Sequence, residues 1–117
     1  MPHIDSTRFG EVVIDGKKYH QVLIIGEEVE ERDYEKLEEL FGTSHRIESH
    51  EMAKLLSNKP EIIIIGTGQS GAMEVSKNLF KGKGVDLIIA ETPEAIRIYN
   101  EMVEADKKVN ALIHTTC

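Results

Sequence analysis

Four β-branched residues in a row, Ile62-Ile63-Ile64-Ile65, run straight into the glycine-rich stretch Gly66-Thr67-Gly68-Gln69-Ser70-Gly71. Consecutive β-branched side chains favour extended backbone, and apolar residues at both parities of a strand need cover on both of its faces. The run therefore predicts a doubly buried strand. Glycines at its exit allow positive φ and let another backbone or a ligand approach closely, so any loop chemistry is expected there. With 117 residues, the chain has room for one domain of ordinary size, and a single α/β domain over 1–117 is expected.

The flanking sequence supplies the rest of such a domain. Glu11 to Ile14, the pair Asp15-Gly16 and Lys17 to Ile25 read as a hairpin, because Asp-Gly suits a two-residue turn that needs positive φ. The acidic stretch from Glu27 to Glu39 reads as a solvated face. Within it, Asp33 caps a short helix through Leu37, Leu40 and Phe41 that stops at Gly42. A second short helix is expected with Ser49 as N-cap and Met52, Leu55 and Leu56 on its apolar face, ending before Pro60. Ala72, Val75 and Leu79 recur at helical spacing, with Ser76 as another cap and Gly82-Lys83-Gly84 as the stop. Val85 to Ala90 and Val109 to His114 are apolar strands. Between them Thr92 as N-cap, Pro93 at the first helical position and Glu94 begin a helix through Ile96, Tyr99 and Val103. Tyr99 is expected in the core with its hydroxyl satisfied. Strands alternating with helices imply right-handed parallel crossovers, joined here to an antiparallel hairpin in a mixed sheet covered by helices. The segments around 26–31 and 42–48 are expected as loops within the domain.

Charge and cysteine content narrow the function classes. A net charge of −7 with 30% charged and 40% hydrophobic residues describes a folded acidic globule, for which nucleic acid and anionic membranes are poor partners. No apolar run reaches the ~18 residues of a membrane-spanning helix. The N-terminal residues Met-Pro-His-Ile-Asp lack an export signal, so a cytoplasmic protein is expected. A lone cysteine, Cys117, fits a reducing compartment.

Several chemistries compete for the glycine stretch. Gly66, Gly68 and Gly71 match G-x-G-x-x-G after a strand, and Glu91 could serve as the ribose acid, yet the long helix that should follow the third glycine is interrupted by Ser76. A Walker phosphate loop needs Lys and Ser or Thr where Ala72 and Met73 stand. The nucleophile elbow G-x-S-x-G fails at Ala72, although Ser70, Glu91 and His114 follow in hydrolase order. A structural corner of the sheet is the reading these flanks favour. The alternative is a site for a small anionic ligand built from Gly66, Thr67, Gly68, Gln69, Ser70 and Gly71, joined by His114 and Cys117 at the same end of the sheet. No cofactor is implied. His3, His20, His45 and His50 show no zinc-type spacing, so no metal is expected either.

Taken together, Ile64-Ile65-Gly66-Thr67-Gly68-Gln69-Ser70-Gly71, Thr92-Pro93-Glu94-Ala95 with Ile98-Tyr99-Asn100, and His114-Thr115-Thr116-Cys117 resemble a family of small domains of unknown function. Its relatives include the adipogenesis-associated domain protein and a mitochondrial complex I assembly factor. The resemblance extends back to Ile4-Asp5-Ser6-Thr7-Arg8-Phe9-Gly10. It implies a three-layer α/β domain with a mixed central sheet, no established enzymatic activity, and a role in protein interaction or assembly with a partner still to be identified. Gly66, Gly68, Gly71, Tyr99, Asn100, His114 and Cys117 fall on its motif positions, without a chemical role attached.

Overall fold

The computed structural model describes residues 1–32 and 47–117. Eight strands and two helices are present among them: β1 (Ile4–Arg8), β2 (Glu11–Ile14), β3 (Lys17–Tyr19), β4 (Val22–Ile25), β5 (Glu28–Glu31), α1 (Ser49–Leu55), β6 (Ile62–Thr67), β7 (Asp86–Ala90), α2 (Thr92–Glu104) and β8 (Val109–His114). They form an antiparallel three-stranded sheet, β1-β2-β3, and a five-stranded sheet ordered β5-β4-β8-β6-β7. β6 pairs in parallel with β7 and β8, whereas β4 pairs antiparallel with β5 and β8. The mixed α/β architecture expected from the sequence is the one observed.

All six residues of β6 are buried, and their alternation divides the interior in two. Ile62 and Ile64 face a core shared by the small sheet (Ile4, Val12, Ile14) and α2 (Ala95, Ile96, Tyr99). Ile63 and Ile65 face the opposite core, with Leu55 of α1, Leu112, Met73 and Phe80. The Tyr99 hydroxyl donates to the Pro2 carbonyl at 2.8 Å, and burial pushes its phenol well above the ordinary value. Beside it, Asn100 receives the Ile4 N–H at 3.1 Å and donates to the Ile4 carbonyl at 2.8 Å. This side chain thus closes the outer edge of β1 as a short strand would.

Several expected elements differ. The long second arm of the hairpin is two strands: β3 stays in the small sheet, and after the break at His20-Gln21 the chain enters the large sheet as β4. His20 remains outside, within 2.7 Å of the Gly10 carbonyl through Nδ1, while Gln21 turns inward and is fully buried. β1 and β5 were not anticipated, and β5 lies in what read as a loop. Its acids are tolerated because an edge strand can leave alternate residues in water. The segment expected as a helix from Ala72 is a string of turns, in which Met73 and Phe80 are the buried anchors and Ala72 is exposed. Ser76 supports one of these turns, its Oγ accepting from the Asn78 N–H at 3.2 Å. Glu48, not Ser49, is the N-cap of α1, and Glu91, not Thr92, is that of α2. The helix expected from Asp33 lies outside the described residues.

Candidate functional site

In the parallel register Thr67 lies beside His114, so the glycine stretch and the residues after β8 leave the sheet side by side. The backbone of those residues folds directly onto the loop. Gln69 N–H donates to the Thr116 carbonyl and Ala72 N–H to the Cys117 carbonyl, each at 2.7 Å, while Met73 N–H returns to the Thr67 carbonyl at 3.0 Å. Gly68 N–H donates to Thr92 Oγ1 at 2.9 Å, and the Gly68 carbonyl accepts from Thr92 N–H at the same distance. The Thr92 hydroxyl donates onward to the His114 carbonyl. That task explains why Thr92 does not cap α2: its oxygen is turned toward the loop.

Two glycines follow from this packing. A Cβ on Gly66 would stand 2.9 Å from Thr92 Oγ1. One on Gly68, where φ is +106°, would stand 2.5 Å from the Cys117 carbonyl carbon. Contacts that short admit no side chain unless the Thr92 hydroxyl moves at Gly66 or the Cys117 backbone moves at Gly68. Gln69 completes the corner by donating from Nε2 to Thr7 Oγ1 at 3.0 Å and to the Thr115 carbonyl at 3.1 Å. The Gly10 N–H reaches the same Thr115 carbonyl at 3.0 Å, so the tip between β1 and β2 is fastened to the corner as well. Gly66, Thr67 and Gly68 are buried; Ser70, Gly71 and Cys117 are exposed.

His114 lies beneath, fully buried. Its Nδ1 is 2.7 Å from Gln21 Oε1 and its Nε2 is 3.1 Å from Thr116 Oγ1. Arg32 Nη1 also donates to Gln21 Oε1, at 2.9 Å. Arginine has only donors, so the amide orientation of Gln21 is fixed, and Nδ1 of His114 must carry the proton it donates. Arg32 in turn grips Glu51 through Nε to Oε2 at 2.6 Å and Nη2 to Oε1 at 3.0 Å. Glu51 Oε1 also accepts from Glu48 N–H at 3.2 Å at the start of α1. A buried polar chain thus runs Glu51–Arg32–Gln21–His114–Thr116 and ends at the residue whose carbonyl holds the loop.

A family model described as protein of unknown function (DUF498/DUF598) matches residues 4–114. The chain belongs to the DUF498 family. Among solved structures, one named MT938 is 36% identical, with all of both chains covered and a TM-score of 0.80. The conserved hypothetical protein PH1505 from Pyrococcus horikoshii OT3 is 31% identical over 97% of this chain and 98% of its own, also at 0.80. An outer membrane protein from Bartonella henselae shares the fold at 18% identity and a TM-score of 0.78, covering 99% of this chain and 96% of its own.

In this DUF498 chain, the corner unites the expected positions: the glycine stretch, His114 and Cys117 converge at one end of β6 and β8. Sequence reasoning missed Gln21, Arg32 and Glu51. One signal was present, because Arg32 is the lone cation between Glu27 and Glu35, in a run otherwise suited to water. Among the described residues, no group of three or more His, Cys, Asp or Glu side chains is placed to hold a metal ion. No helix among them is long and apolar enough to cross a membrane.

Proposed function

We propose that this chain is a non-enzymatic cytoplasmic protein-interaction module of the assembly-factor type, which meets its partner at the corner joining the β1–β2 tip, the glycine loop and the residues after β8. The observation that carries this reading is Phe9. It is 68% exposed, on a tip anchored through Gly10 to Thr115 and His20. Among the described residues, Met1 is the one other large apolar side chain that is exposed, at 40%. A solvent-facing aromatic on an anchored tip, beside a polar rim, is the kind of anchor that protein interfaces bury. The motif resemblance to the adipogenesis-associated domain protein and a complex I assembly factor supports the same class.

The anion-site reading loses support at the same place. Its cradle would need loop amides open to a ligand, and those of Gly68, Gln69, Ala72 and Met73 already donate within the chain. A photo-crosslinking amino acid at position 9, compared with one at exposed Lys107, tests the two readings in cells. The proposal expects a defined protein adduct from position 9 and its loss from pull-downs with Phe9→Ser. Absence of such an adduct, together with a rise in Tm on adding a small anion that Gln69→Ala abolishes, would replace the interaction module with the anion site.

A further inference from the structure

We propose that β7 is a homodimerisation edge, at which two copies of the chain join antiparallel strands into one continuous ten-stranded sheet. Two sheets present four edges, and three of them carry devices that resist pairing. The edge of β1 is closed by Asn100 on Ile4 and interrupted by a bulge between Ile4 and Ser6. That of β3 is three residues long and exposes Lys17 and Lys18; that of β5 exposes Glu28, Glu30 and Glu31. Charged side chains, bulges and short length are the means by which edge strands avoid one another.

Beyond the exposed Asp86 at its start, β7 carries none of these along its outer length. Its pairing with β6 is unbroken from Asp86 to Ala90, and Leu87, Ile88, Ile89 and Ala90 are apolar and half-buried. The Asp86 N–H points inward, donating to the Glu61 carbonyl at 3.0 Å. Strand alternation then turns the N–H and C=O groups of Leu87 and Ile89 outward. Among the described residues, no hydrogen bond reaches them.

The occupant follows from charge. With Ile88 on a two-fold axis, Leu87 of each copy meets Ile89 of the other in hydrogen-bonded pairs, and Asp86 meets Ala90. Every outward backbone group of the strand's centre is satisfied, and no carboxylate faces another. The same operation at β5 would set glutamates against glutamates, which costs stability. The interface is isologous, as in most closed dimers.

Sedimentation velocity over a micromolar to millimolar series is the test. Wild type is expected to pass from the monomer to twice that mass. Ile89→Pro is expected to stay monomeric, because it removes an outward N–H that β6 does not use. If that variant does not fold, a crosslink decides. In a Cys117→Ser background, Ile88→Cys is expected to give a disulfide-linked dimer on mild oxidation, since non-hydrogen-bonded antiparallel neighbours lie within disulfide reach. Ile89→Cys, which faces Leu87, is expected to give none. A wild type that remains monomeric overturns the proposal. So does a dimer that survives Ile89→Pro, or one in which residue 88 fails to crosslink.

Discussion

Gly68 and Cys117 are packed backbone to backbone: a Cβ at residue 68 would lie 2.5 Å from the Cys117 carbonyl carbon and 2.6 Å from its oxygen. This contact gives the glycine-rich motif a physical reason that needs no ligand. Gly68→Ala should cost about 1–3 kcal/mol from the strained φ alone, and more from the collision. Gly82→Ala isolates the two contributions, because Gly82 has a similarly positive φ of +77° with nothing within 4 Å of the Cβ position. The expected result in urea unfolding is a clearly larger loss for Gly68→Ala. It should be accompanied by faster hydrogen exchange of the Gln69 and Ala72 amides, which the carbonyls of Thr116 and Cys117 hold, and which Gly82→Ala leaves unchanged. Equal losses would show that the backbone of Thr116 and Cys117 yields freely.

Thr92 ties three segments together, accepting from the Gly68 N–H and donating to the His114 carbonyl while beginning α2. Thr92→Val keeps the shape and removes both bonds, leaving a buried donor and acceptor without partners. A loss of about 1–3 kcal/mol is expected for each group left unpaired. Thr92→Ser retains the hydroxyl and should recover most of it. Thermal unfolding of the pair checks this, and a valine variant as stable as wild type would remove Thr92 as the fastener of the corner.

What was legible in the sequence follows from how local the determining physics is. Ile62 to Ile65 announces its strand because each residue carries the same message about backbone and burial. Val109 to His114 is equally plain. The break at His20-Gln21 leaves no such mark, since the apolar run from Val22 continues the alternation and the change of sheet depends on contacts with Gly10, Arg32 and His114 far along the chain. Spacing at Ala72, Val75 and Leu79 imitated a helix. The glycines at 82 and 84 and the buried pair Met73 and Phe80 instead hold a chain of turns. The corner was half visible: glycines and the residues after β8 could be brought together by parallel pairing, but Gln21, Arg32 and Glu51 enter only through tertiary structure.

Arg32 and Glu51 test that hidden part. Both side chains are essentially out of water, at 0% and 2% exposure, and removing either one deprives the other's buried charge of its ion-pair counterpart. Glu51→Gln or Arg32→Met alone should cost about 3–5 kcal/mol, as for other buried pairs broken on one side. The double variant Arg32→Met with Glu51→Leu should be less damaging than either single change, because no charge is left buried. A double-mutant cycle on urea midpoints gives the coupling directly. Additive losses would mean that the two side chains act independently of their pairing.

The N-terminal strand makes stability depend on acid in a definite direction. Asp5 bonds to His3 Nδ1 at 2.9 Å and accepts from the Gly16 N–H at 2.8 Å. The His3 bond first and the Gly16 bond second hold its carboxyl below the ordinary 3.8. A carboxylate whose folded value is depressed stabilises the fold fully above the unfolded value. That contribution disappears as pH falls toward the folded value, because the unfolded chain takes up the proton first. Glu94, held below 4.5 by Arg97, acts in the same sense. Stability should therefore be flat with respect to these groups near neutral pH and fall as pH drops below about 4.5, steepening below 3.8. Asp5→Asn should reduce the lower part of that slope without abolishing it, since Glu94 remains. Urea midpoints measured stepwise across this range provide the check, and an unchanged slope in Asp5→Asn would show that the His3 and Gly16 bonds do not favour the ionised carboxylate.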